Sequence, residues 1–486
     1  MRLGQTSLIY FVAKIIGSAL GFLATIYFAR VLGEVVLGYY ALALALVSWL
    51  ALGGRIGLSQ AITKRISEET ESESYATAGV LLIGTFGLIM AVGVYLFRGH
   101  VEAYIGQPVA VLVILMLFAS LFKGFINAAL KGYHFVHIYA ILSTTKIGLR
   151  SLIQVALVVV GYSLVGLLVG YVAGAVIVGF IGLAVLQFRP TRPRKEHFKS
   201  LFDFAKFSWL GSIRHRAFNE VDIVVLGFFV QTGLIGVYSV AWALSKFLDI
   251  FGESVSNTLF PEMSKIATAE DRKAVSGLTE DALAFAGLIA IPGFVGGTVL
   301  ADRLMAIYGE GFVVGQVVLP ILIGALLIYA FTRQFLNTLN AIDRPDLAFR
   351  ANGAFILSNV TLNVLLIWRY GWVGAAVATA VSAAIGLVVA YYYLRPQVPF
   401  EVPLGEIGRQ WIAAIGMGAV VYAARRLGET HPAAETLVAY NAAFVVVLVG
   451  IGAAVYFLLL LAISGQFRRT VDDNLPIGVP KNSGRG

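Results

Sequence analysis

Apolar runs recur along nearly the whole of this 486-residue chain. Many reach 18 or more residues, which at about 1.5 Å per helical residue crosses a hydrocarbon core of roughly 30 Å. Repeated end to end, such runs leave one fold class, an all-α polytopic membrane protein. Composition agrees: 59% of residues are hydrophobic, 13% are charged and the mean hydropathy is +0.85. The run beginning near Ser7 leads straight into further spans without a small-residue cleavage pattern, so it reads as a retained helix rather than a signal peptide. There is no cysteine, which excludes disulfides, thiolate metal sites and Cys nucleophiles.

The runs predict spans over 7–32, 37–61, 77–97, 109–130, 138–160 and 164–188, then a basic linker, then 207–230, 235–260, 281–300, 313–341, 347–368 and 371–394. A last pair lies near 411–424 and 437–463. The organisation expected is two pseudo-symmetric six-helix bundles, 1–190 and 207–396, joined by a linker at 191–206 and followed by two additional helices within 397–465 and a tail at 466–486. Several spans touch through turns of two or three residues, such as Gly161-Tyr162-Ser163 and Arg369-Tyr370-Gly371, so they pack as antiparallel neighbours.

Of the 36 Lys and Arg residues, roughly 21 fall on the side shared by both termini and about six on the other. That asymmetry places both termini and the linker, with Arg189, Arg192, Arg194, Lys195 and Lys199, on the cytoplasmic side of the cell membrane. The net charge of +9 thus reflects cytoplasmic loops facing anionic lipid rather than nucleic-acid binding.

The two halves repeat at a spacing of about 200 residues. Leu37-Gly38-Tyr39-Tyr40 opens the second span as Ile235-Gly236-Val237-Tyr238 opens the eighth. Ile126-Asn127 ends the fourth as Leu336-Asn337 ends the tenth. Val165-Gly166 and Val373-Gly374 start the sixth and twelfth, which stop at Phe188-Arg189-Pro190 and Leu394-Arg395-Pro396. An even number of spans per copy gives both copies one orientation, related by an axis along the membrane normal, with a cavity expected between them.

Charged residues inside spans sharpen that expectation, because each costs about 2.5 to 3.5 kcal/mol near the bilayer centre and persists only beside a partner or a wet cavity. The cations are Lys14, Arg55, Lys123, Lys146, Arg150, Arg214, Arg216, Lys246 and Arg333; the anions are Glu220, Asp222, Asp249 and Glu253. Lys146 and Arg150 lie four apart, as do Arg216 and Glu220, and Lys246, Asp249, Glu253 and Asn257 form one helical stripe. One polar face per helix implies a shared aqueous vestibule. Its surplus of cations points to an anionic substrate, held by guanidinium forks and by lysines acting as point charges. The bland readings are that Lys14, Arg55 and Lys123 snorkel to the cytoplasmic face, and that Arg216 with Glu220 and Lys246 with Asp249 are structural ion pairs. The carboxylates Glu220, Asp222, Asp249 and Glu253 are candidates for coupling to H+ or Na+, while His215 reads as a packing residue. The tyrosines, including Tyr391 to Tyr393, read as interfacial anchors, and the spacing of Gly166, Gly170 and Gly174 as close helix packing.

No phosphate-binding G-x-x-x-x-G-K-[ST] run, HExxH, Cys/His metal spacing or G-x-S-x-G elbow occurs, so no enzymatic activity, metal or cofactor is expected beyond a coupling ion. The segments Gly17-Ser18-Ala19-Leu20-Gly21-Phe22, Ala29-Arg30-Val31-Leu32-Gly33, Leu37-Gly38-Tyr39-Tyr40, Leu130-Lys131-Gly132-Tyr133 and Leu259-Phe260-Pro261 together resemble the polysaccharide transporter family. These are the Wzx-type oligosaccharide flippases of the multidrug/oligosaccharidyl-lipid/polysaccharide exporter superfamily, and the resemblance covers essentially the full length. It implies two bundles that alternate between inward and outward openings, with the phosphate or diphosphate headgroup of a polyprenyl-linked oligosaccharide in a cationic lumen. Partners would be that glycan, membrane lipid and glycan-assembly proteins. On the charge argument the substrate is held by Lys123, Lys146, Arg150, Arg214, Arg216, Lys246 and Arg333. The rival readings are a cation- or proton-coupled drug antiporter of the same superfamily, which requires a net negative cavity, and a non-transporting scaffold for glycan assembly.

Overall fold

The structure, a computed structural model, describes residues 3–55, 57–68, 70–268, 272–432 and 435–474. The side chains of residues 3–16, 207–219, 250–255, 257 and 258, and those of Ser18, Pro261 and Arg272, lie outside this description, so the expectations placed on Lys14, Arg214, His215, Arg216, Glu253 and Asn257 do too. Among the described residues there is no strand, and nine helices are long and apolar enough to cross a membrane. The backbone explains why: in hydrocarbon it can satisfy itself only within a helix or a closed barrel.

The chain divides into two compact units, Met1–Val240 with Tyr308–Phe312 and Asn359–Ala378, and Ala241–Ile307 with Val313–Ser358 and Thr379–Gly486. The first unit contains α1 (Leu3–Gly53), α2 (Leu58–Ser67), α3 (Ser72–Leu96), α4 (Arg98–Ile105), α5 (Ala110–Gly132), α6 (Val136–Val159), α7 (Ser163–Leu186) and α8 (Lys195–Phe229). From α9 (Thr232–Thr268) the chain enters the second, which continues with α10 (Arg272–Val299), α11 (Ala301–Ala306) and α12 (Leu319–Ala341). Next come α13 (Pro345–Leu394), α14 (Leu404–Thr430), α15 (Glu435–Ala439), α16 (Asn441–Ile463) and α17 (Gly465–Asn474).

Every predicted span falls on a helix, and three of the corrections to the boundaries change the reading. The first two spans are one hydrogen-bonded helix, α1, broken at Gly33 (φ 76°, ψ 176°), and the eleventh and twelfth likewise share α13, broken at Gly371 (φ 59°, ψ −143°). Both φ values lie in the region where only glycine escapes a Cβ clash. The 50 residues of α13 would extend about 75 Å if straight, so the break is what lets them cross twice. Second, the predicted span 37–61 is interrupted: α1 stops at Gly53, and α2 is a separate amphipathic helix that buries Leu58, Ala61, Ile62 and Ile66. Third, α12 starts at Leu319 rather than 313, because Glu310–Val317 forms a 3₁₀ helix.

Within the first unit, α6 packs on α7 and α1, and α5 on α7. Here the expected small-residue packing is seen: a Cβ on Gly174 would come within 2.9 Å of the Arg150 Cβ, so α6 and α7 approach closely only because that position is bare. The repeat landmarks also meet in this unit. A Cβ on Gly38 would run into the Thr232 carbonyl, and one on Gly236 into the Glu34 carbonyl, a reciprocal contact of equivalent positions. Part of the basic linker is helical, since α8 begins at Lys195. There His197 Nδ1 accepts the Arg194 N–H at 2.9 Å, and its Nε2–H donates to Glu71 Oε2 at 2.9 Å. In the second unit α10 packs on α12 and α14, and α14 on α16.

Candidate functional site

The first unit gathers cations from three places in the sequence. Arg55 follows the end of α1, and its Nε donates to the Ala51 carbonyl at 3.1 Å. Helix α5 presents Ser120, Lys123, Gly124 and Asn127 on one face, at the i, i+3, i+4, i+7 spacing that repeats each turn. Helix α6 brings Lys146 and Arg150, four apart. Helices α1, α5, α7 and α8 border a cavity of ≈ 320 Å³ lined by Leu44, Ser48, Arg55, Ser120, Lys123, Gly124, Asn127, Tyr171 and Glu220. Lys146, Arg55 and Arg150 are all near enough to Lys123 to act on its charge. The Tyr171 ring sits 5.6 Å from Lys146 Nζ and 5.9 Å from the Arg150 guanidinium carbon, and Ser120 lines the same cavity.

Two features show that room has been made for these charges. A Cβ on Gly124 would lie 2.5 Å from Arg55 Nη1, so glycine there lets the guanidinium lie across α5. The Arg150 Nε is buried and makes no hydrogen bond among the described residues, although buried donors are nearly always paired. Among the described residues Glu220 is the one carboxylate lining the cavity; its Oε1 accepts the Ser48 hydroxyl hydrogen bond at 2.7 Å. Two cations line the cavity with it and two more lie beside Lys123. Two unit charges about 4 Å apart repel by roughly 4 kcal/mol at an effective dielectric of 20, so the arrangement favours an incoming anion.

Two other expected cations, Lys246 and Arg333, lie in the second unit, among partners. Arg333 Nη2 donates to Asp249 at 2.8 Å and its guanidinium covers the Tyr329 ring at 5.0 Å. Lys246 Nζ lies 5.2 Å above the Trp242 ring, one turn earlier on α9. Arg214, Arg216 and Glu253 lie outside the described side chains.

Asp222 occupies a separate buried polar cluster in the first unit. The Tyr238 hydroxyl donates to its Oδ2 at 2.5 Å and Asn363 Nδ2 to its Oδ1 at 2.8 Å. The Oδ1 atoms of Asn359 and Asn363 are buried there without a hydrogen-bond donor among the described residues. Carboxylate, phenol and amide oxygens together form the hard donor set that suits a small cation or a proton.

Arg55 was left between snorkelling and function in the sequence, and Ser48, Ser120, Asn127 and Tyr171 carried no signal of their own. Gly124, one residue from Lys123 in an apolar span, was a usable hint. So were Asn359 and Asn363, two amides four apart in an otherwise apolar run.

Residues 3–267, more than half of the chain, match the family model described as "Polysaccharide biosynthesis protein". The "Probable flippase AglR" of Haloferax volcanii is 29% identical over 483 residues, 98% of each chain. The "Probable low-salt glycan biosynthesis flippase Agl15" of the same organism is 28% identical over 432 residues, covering 88% of this chain and 91% of that protein. Among solved structures, the lipid II flippase MurJ in an inward closed conformation superposes with a TM-score of 0.80 at 17% identity, covering 96% of this chain and 100% of that one, which shows a shared fold.

Proposed function

Since the chain belongs to the polysaccharide biosynthesis protein family, we propose that it is a flippase that moves a polyprenyl-phosphate- or polyprenyl-diphosphate-linked oligosaccharide across the cell membrane. The observation that carries this reading is a cavity lined by Arg55 and Lys123, with Lys146 and Arg150 gathered beside Lys123 and one lining carboxylate among the described residues. Its ≈ 320 Å³ lies at the small end of ligand pockets, which run from about 300 Å³ upward. It suits the phosphate and the first sugar, the remaining sugars extending beyond it. Guanidinium forks on Arg55 and Arg150 grip phosphate oxygens, the two lysines supply mobile charge, and the polyprenyl tail stays in lipid. The relatives named as flippases, one of them for glycan biosynthesis, support the same assignment.

Translocation proceeds by alternating access. The substrate enters from the cytoplasmic side, where both termini and the basic 191–206 segment lie by the excess of Lys and Arg there, and glycan-assembly proteins supply and consume it. Asp222, Tyr238, Asn359 and Asn363 form the site for a coupling proton or sodium ion, apart from the substrate cavity.

The test is complementation of cells that lack their own lipid-linked glycan flippase. Wild type should restore surface glycan, Arg150→Ala and Lys146→Ala should fail at matched membrane expression, and Arg150→Lys should retain part of the activity. Full activity in both alanine variants would return these charges to a structural role and reopen the drug-antiporter reading.

A further inference from the structure

The cavity of the first unit takes its cations and its anion from different parts of the chain. Arg55 and Lys123, which line it, and Lys146 and Arg150 beside Lys123 all belong to the first six-span half, whereas Glu220 sits on α8, whose membrane-crossing stretch opens the second. The hydrogen bond from Ser48 fixes the carboxylate against α1 at 2.7 Å. A carboxylate offers guanidinium and ammonium groups the same kind of acceptor as a phosphate does. The two therefore compete for one set of cations and repel one another when both are present.

We infer that Glu220 is the resident counter-ion of this cavity, a specificity and positioning residue that the anionic headgroup displaces on entry and that returns as the headgroup leaves. The inference rests on the reading that the cavity receives the phosphate of the substrate. In the empty carrier Glu220 offsets part of the charge of the four cations and ties α8 to α1 through Ser48. A bound phosphate takes over that neutralisation, Glu220 parts from Ser48, and α8 is released. Occupancy of the cavity thus sets the freedom of α8, and the returning carboxylate helps expel the phosphate. A residue with this role must weaken binding while speeding release; a residue that holds the ligand, or merely packs, cannot do both.

The experiment uses the full chain in nanodiscs of zwitterionic lipid, with a polyprenyl phosphate as probe and inorganic phosphate in a parallel arm. Glu220→Gln should bind the polyprenyl phosphate about tenfold more tightly than wild type, as expected for removing one nearby like charge, and should flip lipid-linked oligosaccharide more slowly. Glu220→Asp should move both readouts back toward wild type. Ser48→Ala keeps the charge but loosens it, so it should shift affinity in the same direction by a smaller factor; it carries the test alone if Glu220→Gln fails to fold. Unchanged or weaker binding by Glu220→Gln, with Arg150→Ala weakening binding as expected, overturns the counter-ion role and leaves the cationic cavity standing. If Arg150→Ala leaves binding unchanged, the reading beneath it fails instead. Inorganic phosphate bound as tightly as the polyprenyl phosphate would overturn the headgroup assignment.

Discussion

Two clusters of charge, one in each unit, contain similar residues and differ in how they are balanced. In the second unit Arg425 grips Asp302 with both terminal nitrogens at 2.8 and 2.6 Å, and its Nε donates to Glu429 at 2.8 Å. Arg303 reaches the same Glu429 oxygen at 2.9 Å, and Asn441 Nδ2 donates to the Arg303 carbonyl at 2.9 Å. Two cations meet two carboxylates, and the network ties α11, α14 and α16 together. In the first unit Arg55 and Lys123 line a cavity with Glu220, its one lining carboxylate among the described residues, and Lys146 and Arg150 lie beside Lys123. Pairing removes the reason to bind anything else, whereas a surplus creates one. The first pattern is architecture; the second is what the proposed phosphate site calls for.

Substitution should separate the two most sharply. Arg150→Ala is expected to lower flipping by about a hundredfold or more, the loss that follows when a hydrogen-bonded charge contact is truncated. Its thermal stability in detergent should stay within about 1 kcal/mol of wild type, since a like-charge repulsion is relieved. Arg425→Ala should do the reverse. It should cost about 2 kcal/mol of stability, the low end for breaking a largely buried pair because the site is partly exposed, while the protein that remains folded still transports. Equal effects of both variants on both readouts would erase the distinction.

A smaller effect is expected with pH. Burial pushes the Asp302 carboxyl up, but the hydrogen bonds and charge of Arg425 outweigh it and hold the group below the usual carboxylate range. Its contribution to stability is therefore present above the unfolded value of about 3.9 and is lost as pH falls through the lower folded value. Melting temperatures measured from pH 7 downward should show wild type losing more stability in that acidic window than Asp302→Asn does; parallel curves would contradict the pairing. The mildest change should come from Gly124→Ala. Its Cβ would meet the movable end of Arg55 at 2.5 Å, so flipping is expected to fall several-fold with little change in melting temperature. An unaltered rate would show that Arg55 needs no room on α5.

The same contrast explains what could be read from the sequence. Spans were legible because hydrophobic length is a local property, and Lys146 with Arg150 was legible because i, i+4 spacing reports a helix face. The break after Gly53 was hidden, although Gly53, Gly54 and Gly57 surround it, because the apolar average runs across three glycines as easily as through a helix. With that break unseen, Arg55 stood inside a predicted span and its place in the cavity could not be inferred. The start of α14 was missed by seven residues because Glu406, Arg409 and Gln410 read as loop, yet Glu406 and Gln410 are buried on this helix. Which cations find carboxylates was not legible at all. Arg333 pairs with Asp249 across 84 positions, a contact set by tertiary packing and invisible to any periodicity.

The central claim is tested most directly by reconstituting the full chain in liposomes with a fluorescent polyprenyl-diphosphate oligosaccharide in one leaflet and following its appearance in the other. Wild type should transfer the labelled lipid far faster than protein-free vesicles, Arg150→Ala should fall to near that background, and the same glycan on a phosphate-free polyprenyl carrier should not move. Equal transfer of the phosphate-free lipid, or undiminished transfer by Arg150→Ala, would contradict a mechanism in which the cationic cavity grips the phosphate.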